Sequence, residues 1–375
     1  MNLSFWEKDS YFSNLDVVII GSGIVGLNAA LHLREKSKKL KILILERGIL
    51  PTGASTKNAG FACFGSTSEL LDDLKNHTEN EVFSLIEKRW KGLLKLRKTI
   101  GDKNLNFYTW GGYELFDSEE KYKTCHEHIS FLNKHLSPII EKKSIYKNAD
   151  THLKTLGLKN VKHLILNTAE GQLDTGKMMK ALIKKAIAND ISILNGIEIK
   201  SIEDSGNAVE LKMTDGNYIK SKKVIIATNG FAKQLLPDYD VNPARAQVLI
   251  TEPIKNLKLK GTFHYDSGYY YFRNINNRIL LGGGRNLDFK GETTTKMHTT
   301  SLVQNKLEEL LYNTIIPYAK PKIEMRWSGI MGIGSQKQSI IKAVSKNVYC
   351  AVRMGGMGVA IGTLVGEEVA EMVLE

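Results

Sequence analysis

Apolar and polar residues near the start of the chain follow a pattern that predicts a strand, a helix and a second strand. Residues 16–20 form an apolar run after one aspartate, and residues 41–46 form a second run. Between them, after a glycine-rich turn, apolar side chains recur at the spacing of a helix face, at Leu27, Ala30, Leu31 and Leu33. A strand, a helix and a strand in this order predict a parallel β-sheet.

The same alternation returns in the second half of the chain and then gives way to strands. The turn residues Asn276 and Asn277 separate two strand-like runs, which favours an antiparallel meander there. Strands are predicted at residues 198–202, 223–227, 247–251, 268–273, 278–281 and 348–352. Helices are predicted at residues 81–100, 177–188 and 302–311, and in a final segment that ends near 374. Residues 101–160 are predicted to be irregular and polar.

A glycine motif lies between the first predicted strand and the first predicted helix. Gly21, Gly23 and Gly26 permit, in turn, a tight turn, close approach of the backbone to a pyrophosphate, and close packing of the helix. The start of the helix offers unpaired amides to phosphates. Glu46, twenty residues further on, ends the second strand, where a carboxylate accepts hydrogen bonds from a ribose. The motif predicts an adenine dinucleotide, and because Glu46 would repel a ribose phosphate, FAD and NAD remain.

Length and composition restrict the class of protein. The chain has 375 residues, 42% of them hydrophobic and 25% charged, with 7 prolines, which fits a globular protein of about two domains. No apolar run approaches the ~18 residues of a membrane span, and the start lacks the pattern of a secretory signal. Three cysteines do not suggest a disulfide framework. We therefore expect a cytoplasmic protein with no membrane partner.

The formal net charge of +12 raises the question of an acidic partner. The basic residues, mostly lysines, are scattered along the chain and form no basic stripe interleaved with aromatic residues. This pattern favours a solvated, lysine-rich surface over a nucleic-acid interface. The sequence leaves the oligomeric state open.

Several segments beyond the glycine motif resemble the D-amino-acid oxidase, glycine oxidase and sarcosine oxidase group of flavoproteins. They are distributed over most of the chain except about residues 75–165. They are the stretches ERGILPTGASTKNAGF (46–61), GQLDTGKMMKALIKKA (171–186), IIATNG (225–230), RWSGIMG (326–332) and RMGGMGVAIGTLVGE (353–367). The third stretch carries one extra residue, Asn229. The resemblance implies FAD as the cofactor, in preference to NAD.

The resemblance also implies a fold. This fold is a mixed α/β architecture in which a glutathione-reductase-like, FAD-binding Rossmann domain is interleaved with a substrate domain built on a mostly antiparallel sheet. We predict that residues 1–75, 166–236 and 325–375 form the FAD-binding domain. Residues 76–165 and 237–324 would then form the substrate domain.

The motif and the resemblance together predict the residues that contact FAD. In the last segment, Gly355, Gly356 and Gly358 let the backbone lie flat against a planar ligand, and the helix that follows starts with its positive end nearby. Such a dipole would stabilise the negative charge of a reduced flavin. The predicted cofactor-binding residues are Gly21, Gly23, Ile24, Val25, Gly26, Glu46, Arg47, Gly53, Ala54, Ser55, Lys57, Asn58, Ala59, Gly60, Phe61, Ile199, Ala227, Thr228, Gly230, Gly329, Met331, Arg353, Gly355, Gly356, Met357, Gly358 and Val359.

The resemblance implies oxidation of a small amine or amino acid. A hydride passes from carbon to flavin, the imine hydrolyses, and oxygen or another acceptor takes the electrons. Because this reaction depends mainly on positioning, we expect neither a catalytic triad nor a metal site. Three alternatives stay open: a flavin module acting on the carboxymethylaminomethyl side chain of a transfer-RNA uridine, a noncatalytic flavin-binding protein, and an NAD-dependent dehydrogenase.

The sequence departs from the family pattern at positions that bind the substrate carboxylate and the flavin. Where the family has two arginines, this chain has Met331 and Gly356, which weakens the case for an α-amino acid. The lysine of sarcosine oxidase-like relatives is replaced by Ala360. The cysteine that links flavin covalently in those relatives falls at about Ser328, so we predict non-covalent FAD.

Four cations are candidates to replace those arginines, although each also suits a surface or phosphate-pairing charge. In order of preference they are Lys57, Arg353, Arg273 and Arg326. Lys57 carries a second hypothesis, because a cation beside reduced flavin would speed its reaction with oxygen.

Two tyrosines and three apolar residues are further candidates for the substrate site. Tyr269 and Tyr271 share one face of a predicted strand, a pattern that also suits an ordinary half-buried strand. Candidate apolar walls, which equally suit plain core, are Phe61, Met331 and Met357. The candidate catalytic residues are thus Lys57, Arg353, Arg273, Tyr269, Tyr271 and Met331.

One group of cysteine and histidine residues resembles a set of metal ligands, but its pattern does not support a metal site. Cys125, His126 and His128 lie in charged sequence typical of a surface helix, where His126 points away from the other two. No fourth ligand lies nearby in the sequence. We expect a solvated helix there, and small buried thiols at Cys63 and Cys350.

Overall fold

Two eight-stranded β-sheets organise the structure, a computed structural model that describes residues 3–375. The strands, β1–β18 in chain order, are Leu15–Ile20, Ile42–Glu46, Phe61–Ala62, Gly112–Phe116, Tyr146–Asn148, His163–Asn167, Gly171–Gln172, Ser192–Asn195, Ile199–Asp204, Val209–Met213, Tyr218–Ile226, Asn242–Thr251, Thr262–Tyr265, Tyr270–Ile275, Arg278–Gly283, Ile323–Ile333, Ile340–Ala343 and Val348–Val352. The α-helices, α1–α12, are Phe5–Glu7, Ile24–Lys36, Ala54–Lys57, Thr67–Asn76, Glu79–Ile100, Asp102–Leu105, Glu119–Glu127, Ile129–Ile140, Leu153–Leu156, Thr175–Ala188, Ser301–Leu310 and Gly358–Leu374. Short π-helical turns lie at Lys8–Phe12 and Leu311–Ile315, and 3₁₀ turns at Asp150–His152, Asn229–Gln234 and Arg285–Leu287.

The first sheet confirms the predicted parallel unit. Its order is β17-β18-β11-β1-β2-β8, and β10 and β9 extend from β11 as an antiparallel branch. Strands β18, β11, β1, β2 and β8 run parallel. Val17 and Ile19 pack with helices α2, α10 and α12, while Val18 and Ile20 pack on the other face. The strand is apolar throughout because both of its faces are covered.

The second sheet is almost entirely antiparallel. Its order is β16-β12-β15-β14-β13-β4-β6-β5, with a parallel pair between β13 and β4. On one face, the rings of Phe263 and Phe272 stack with centroids 4.6 Å apart and pack with apolar residues of α11. The opposite face carries Tyr271 and His264, which line the cavity described below. The mixed α/β fold class predicted from the sequence is confirmed.

Strand β16 belongs to the second sheet, although most of its residues were predicted to lie in the FAD-binding domain. Residues from 325 on were predicted to belong to the FAD-binding domain, but β16 pairs with β12 along the edge of the second sheet. The pairing extends over ten register positions of β12, from Asn242 to Thr251. The other boundaries of the two domains stay predictions.

Residues 101–160 are ordered, against the prediction of an irregular polar stretch. They contain helices α6 to α9 and strands β4 and β5. β4 is buried along its whole length because β13 and β6 flank it. The charged residues of α7 dominate the local composition and conceal an apolar side on which Tyr122 and Cys125 are buried. The prediction of a solvated helix is therefore wrong for Cys125.

Two further sequence expectations concern membranes and thiols. Within residues 3–375, no helix is long and apolar enough to cross a bilayer. Cys63 and Cys350 are buried free thiols, as predicted.

Candidate active site

The glycine motif forms one wall of a crevice at the carboxyl end of β1. Gly21 has a φ of +108°, a conformation that favours glycine. A Cβ atom on Gly26 would lie 2.0 Å from the carbonyl oxygen of Gly21, so α2 packs against the turn only because Gly26 has no side chain. Gly23 and Ile24 line the crevice, and the positive end of α2 therefore faces it.

Glu46 ends β2 beside the motif and faces the same crevice. The residue is 6% exposed, and its Oε2 accepts hydrogen bonds from the hydroxyl and the amide of Ser22 at 2.8 and 3.2 Å. Its Oε1 accepts a hydrogen bond from the amide of Gly48 at 3.1 Å. These donors fix the carboxylate at the edge of the crevice, where a ribose hydroxyl could donate to it.

The segment that follows β2 is tied to the glycine motif. Ser55 Oγ accepts a hydrogen bond from the amide of Ile24 at 2.9 Å, which joins α3 to the start of α2. Asn58 donates to the carbonyl of Ser55 at 2.9 Å and accepts from the amide of Gly60 at 2.8 Å. The two segments therefore form one continuous wall.

A third segment, between β18 and α12, completes the crevice. Gly355 and Gly356 have φ values of +57° and +82°, which a side chain would strain. α12 begins immediately afterwards, at Gly358, and this glycine lines the crevice. Nearby, the hydroxyl of Thr228 is buried without a hydrogen-bond partner within residues 3–375. An unsatisfied group of this kind fits a site that binds a polar ligand.

These segments and one face of the second sheet line a single cavity of about 610 Å³. The predicted site residues that line it are Gly21, Gly23, Ile24, Val25, Glu46, Arg47, Gly53, Ala54, Ser55, Lys57, Asn58, Ala59, Phe61, Ile199, Ala227, Thr228, Gly230, Tyr269, Tyr271, Gly329, Met331, Gly355, Gly356, Met357, Gly358 and Val359. The structure thus brings together residues that are far apart in the sequence. Gly26, Gly60, Arg273, Arg326 and Arg353 are not among the lining residues.

Two of the predicted substrate cations are engaged elsewhere. Arg353 donates to Asp240 Oδ2 and to the carbonyl oxygen of Gln338, both at 2.8 Å. Arg326 donates to Glu308 Oε1 at 2.7 Å. The structure contradicts the prediction that these guanidinium groups face a substrate, because both already have carboxylate partners.

Arg273 is buried outside the cavity. It is 2% exposed, its Nε has no hydrogen-bond partner within residues 3–375, and burial lowers its pKa to about 10. Its Nη2 lies close to Gly60, because a Cβ atom added to Gly60 would be 3.1 Å from this nitrogen. Arg273 is therefore not among the residues that line the cavity, and its contact with a substrate stays a prediction.

Lys57 is the predicted substrate cation that does line the cavity. Its carbonyl oxygen accepts a hydrogen bond from Trp327 Nε1 at 3.0 Å. Its Cβ would lie 2.8 Å from a Cβ added to Gly329, so the missing side chain at Gly329 leaves room for the lysine. Lys57 remains a candidate for both of its predicted roles.

One end of the cavity is an aromatic chamber on the second sheet. Tyr271 pairs in register with His264 on β13 and with Gly282 on β15, so all three residues face the same side of the sheet. The ring of Phe61 meets those of His264 and Tyr271 edge-on, at centroid distances of 5.3 and 5.7 Å. Burial raises the pKa of Tyr271 to about 12, so its hydroxyl is neutral at physiological pH.

A buried ion pair at this chamber was not predicted from the sequence. Nε2 of His264 lies 2.9 Å from Oε2 of Glu170, a residue with no exposed surface. Burial alone would lower the pKa of His264, but the charges of Glu170, Glu69 and Glu114 raise it to about 9. The imidazole is therefore protonated at neutral pH. No local pattern marks this pair, because its members are 94 residues apart.

Cys63 lies close to this ion pair. The thiol, the imidazole and the Glu170 carboxylate have ligand atoms within 4.8 Å of one another, a set that could hold a metal ion. However, His264 and Glu170 already satisfy each other, and burial raises the pKa of Cys63 well above its usual value. The arrangement therefore fits an ion pair beside a neutral thiol better than a metal centre.

A further cation that lines the cavity was also not predicted. Arg285 follows β15 and begins a short 3₁₀ turn. Its Nε is buried without a hydrogen-bond partner within residues 3–375, and its guanidinium carbon lies 4.9 Å from the centroid of the Phe289 ring. The three glycines before it, 282–284, could have indicated the site, because they mark a place where backbone approaches a ligand or another strand.

Comparison with known proteins identifies the family. The chain belongs to the FAD-dependent oxidoreductases of the DAO family, whose model matches residues 16–372. It is 24% identical to the probable oxidoreductase OrdL of Haemophilus influenzae, over 96% of this chain and 83% of that protein. It is 23% identical, with the same two coverages, to the gamma-glutamylputrescine oxidoreductase of Escherichia coli.

A solved structure supports the same fold. Glycine oxidase from Bacillus cereus has a TM-score of 0.79 and 17% identity to this chain, over 96% of this chain and 95% of that one. At this identity the likeness concerns the fold alone. The family assignment confirms the resemblance described from the sequence.

Proposed function

We propose that the chain binds FAD without a covalent bond and oxidises a carbon–nitrogen bond of a small amine or amino acid. When bound, FAD supplies the acceptor for a hydride that leaves the substrate carbon. The chain itself holds the cofactor, orients the substrate and excludes water. The observation that carries the proposal is that the crevice of the glycine segments and the aromatic chamber belong to one cavity.

The polar groups of the crevice suit FAD. The positive end of α2 faces a position where a pyrophosphate would lie, and Glu46 stands where a ribose would donate to it. The unsatisfied hydroxyl of Thr228 offers a further polar contact. Ser328, at the position of the flavin-linking cysteine of some relatives, has no thiol to form a covalent link.

The chamber suits an amine substrate. Phe61 and Tyr271 form an apolar wall. An amine against such a wall loses part of its hydration, which lowers its pKa and favours the neutral form that can lose a hydride from the adjacent carbon. The names of two similar proteins, a gamma-glutamylputrescine oxidoreductase and a glycine oxidase, point to substrates of this class.

The test is anaerobic mixing of the FAD-loaded protein with a panel of small amines and amino acids. We expect at least one compound to bleach the flavin absorbance and to yield an aldehyde or keto acid after imine hydrolysis. If dithionite bleaches the flavin but no compound of the panel does, the proposed function is wrong.

A further inference from the structure

We propose that Arg285 binds a carboxylate group of the substrate, so that the chamber selects amines that carry a carboxylate. This inference rests on the proposed function and narrows its substrate class. Arg285 would then bind the carboxylate in place of the two family arginines, which this chain lacks.

The guanidinium of Arg285 pairs with no carboxylate among the residues that the structure describes. Within residues 3–375 it makes no side-chain hydrogen bond and has no carboxylate oxygen within 4.0 Å, while its Nε is buried. Buried donors in native proteins are nearly always paired, and a buried donor without a partner needs an explanation. A carboxylate is the group that a guanidinium fork fits best, through two parallel hydrogen bonds.

The local backbone carries Arg285 into the cavity. Gly283 and Gly284 have φ values of +123° and +78°, and a Cβ on Gly283 would lie 2.0 Å from the carbonyl oxygen of Tyr269. The amide of Gly284 donates to that same carbonyl at 3.0 Å. The turn therefore places Arg285 beside Tyr269, and both residues line the cavity.

The carboxylate of Glu292, whose charge acts on Arg285, is already paired with another residue. Glu292 acts on the pKa of Arg285 through its charge, but burial is the larger effect and lowers that pKa. Both oxygens of Glu292 accept hydrogen bonds from Arg245, each at 2.7 Å. Gln247 donates to the same carboxylate at 2.9 Å. Arg285 is thus left for a ligand.

Other cations along the cavity have different surroundings. Arg47 stacks on the ring of Phe231, with 3.6 Å between its guanidinium carbon and the ring centroid, and Lys337 pairs with Asp73 at 2.5 Å. Lys57 is the main competitor, because it also lines the cavity. Its ammonium is a point charge, whereas the fork of Arg285 matches the planar carboxylate.

The first experiment titrates the FAD-loaded protein with acetate, an inert carboxylate, and follows the flavin difference spectrum. We expect Arg285→Met to weaken acetate binding about tenfold to a hundredfold, the loss of a charge-assisted hydrogen bond, and Arg285→Lys to weaken it less. Arg278→Met is the matched control, because Arg278 pairs with Glu324 at 2.7 Å and lies outside the cavity. A thermal unfolding scan verifies that each variant is folded.

The second experiment compares anaerobic flavin reduction by matched pairs, glycine against methylamine and proline against pyrrolidine. The wild type should require less of the carboxylated member for half-maximal reduction, and Arg285→Met should remove this preference while changing the limiting rate much less. Equal use of both members by the wild type would overturn the inference. So would loss of acetate binding in Lys57→Met with retention in Arg285→Met. If no amine reduces the flavin, the proposed function fails and the acetate titration alone decides the role of Arg285.

Discussion

Arg245 lies on β12, and Arg285 follows β15, the strand that pairs with β12. The two arginines nevertheless have different hydrogen-bond partners. Arg245 is 2% exposed and makes two hydrogen bonds of 2.7 Å to Glu292. Its remaining nitrogen lies within 3.0 Å of the ring of His298. Arg285 lines the cavity and has no such partner within residues 3–375.

This difference separates a structural charge from a binding charge. A buried arginine whose donors are all used holds its own sheet together and cannot turn to a ligand without leaving a carboxylate unpaired. An arginine whose donors are unused can bind a ligand without breaking a hydrogen bond or an ion pair of the fold.

Replacing Arg245 should affect folding most. Arg245→Met leaves the Glu292 carboxylate buried without its counter-charge, which should lower the free energy of unfolding by about 3–5 kcal/mol. Urea unfolding measures the change. Arg278→Met, which breaks a more exposed pair with Glu324, should cost no more than about 1 kcal/mol. Equal costs at the two positions would contradict the structural role of Arg245.

The ion pair of His264 and Glu170 should make stability depend on pH. The folded pKa of His264, about 9, exceeds the usual value of 6.5, so its contribution is complete below pH 6.5 and is lost as pH rises through 9. At about 1.4 kcal/mol for each pKa unit, the unfolding free energy should fall by about 3 kcal/mol across this window. Urea unfolding at a series of pH values measures it.

A double variant isolates the contribution of this ion pair. His264→Gln combined with Glu170→Gln removes both charges, so the fall in unfolding free energy between pH 6.5 and 9 should disappear. A variant that keeps the full wild-type slope would show that other groups cause it.

Lys57 extends the comparison to a second cation of the cavity. If it stabilises the negative charge that develops on oxygen as oxygen accepts an electron, Lys57→Met should slow flavin reoxidation at least about tenfold. Stopped-flow mixing of reduced protein with oxygen measures the rate. An unchanged rate would refute the role, and Arg285→Met should leave this rate nearly unchanged.

Replacing Arg285 should affect folding least. Because no carboxylate of residues 3–375 would lose a partner, Arg285→Met should change the free energy of unfolding by no more than about 1 kcal/mol. The substitution mainly removes the interaction of the guanidinium with the ring of Phe289. Urea unfolding of Arg285→Met and Arg245→Met measures the difference between their free energies of unfolding. A destabilisation as large as that of Arg245→Met would show that Arg285 is a structural charge.

The cofactor crevice was predictable from the sequence, and the substrate chamber largely was not. The spacing of Gly21, Gly23 and Gly26 indicates a crevice because the steric demands of a turn and a helix are local. By contrast, His264 meets Glu170 only through sheet pairing, which no local pattern records. Arg353 was assigned to the substrate for the same reason, since its partner Asp240 is 113 residues away.

Local composition also misleads where long-range packing decides the structure. Residues 101–160 look polar because the exposed sides of α7 and α8 are polar, while Leu132 and Leu136 are buried against α5. Arg285 could have been suspected from the glycines before it. The sequence could not show that Arg285 lacks a carboxylate partner within residues 3–375, because this depends on the pairing of Glu292 with Arg245.

The visible absorption spectrum of the purified protein shows whether the cavity binds FAD. We predict a yellow protein with a flavin spectrum and close to one FAD per chain, all of it released into solution when the protein is precipitated with acid. A protein that is colourless, and stays colourless after incubation with FAD and removal of the excess, would contradict the claim that this cavity binds FAD.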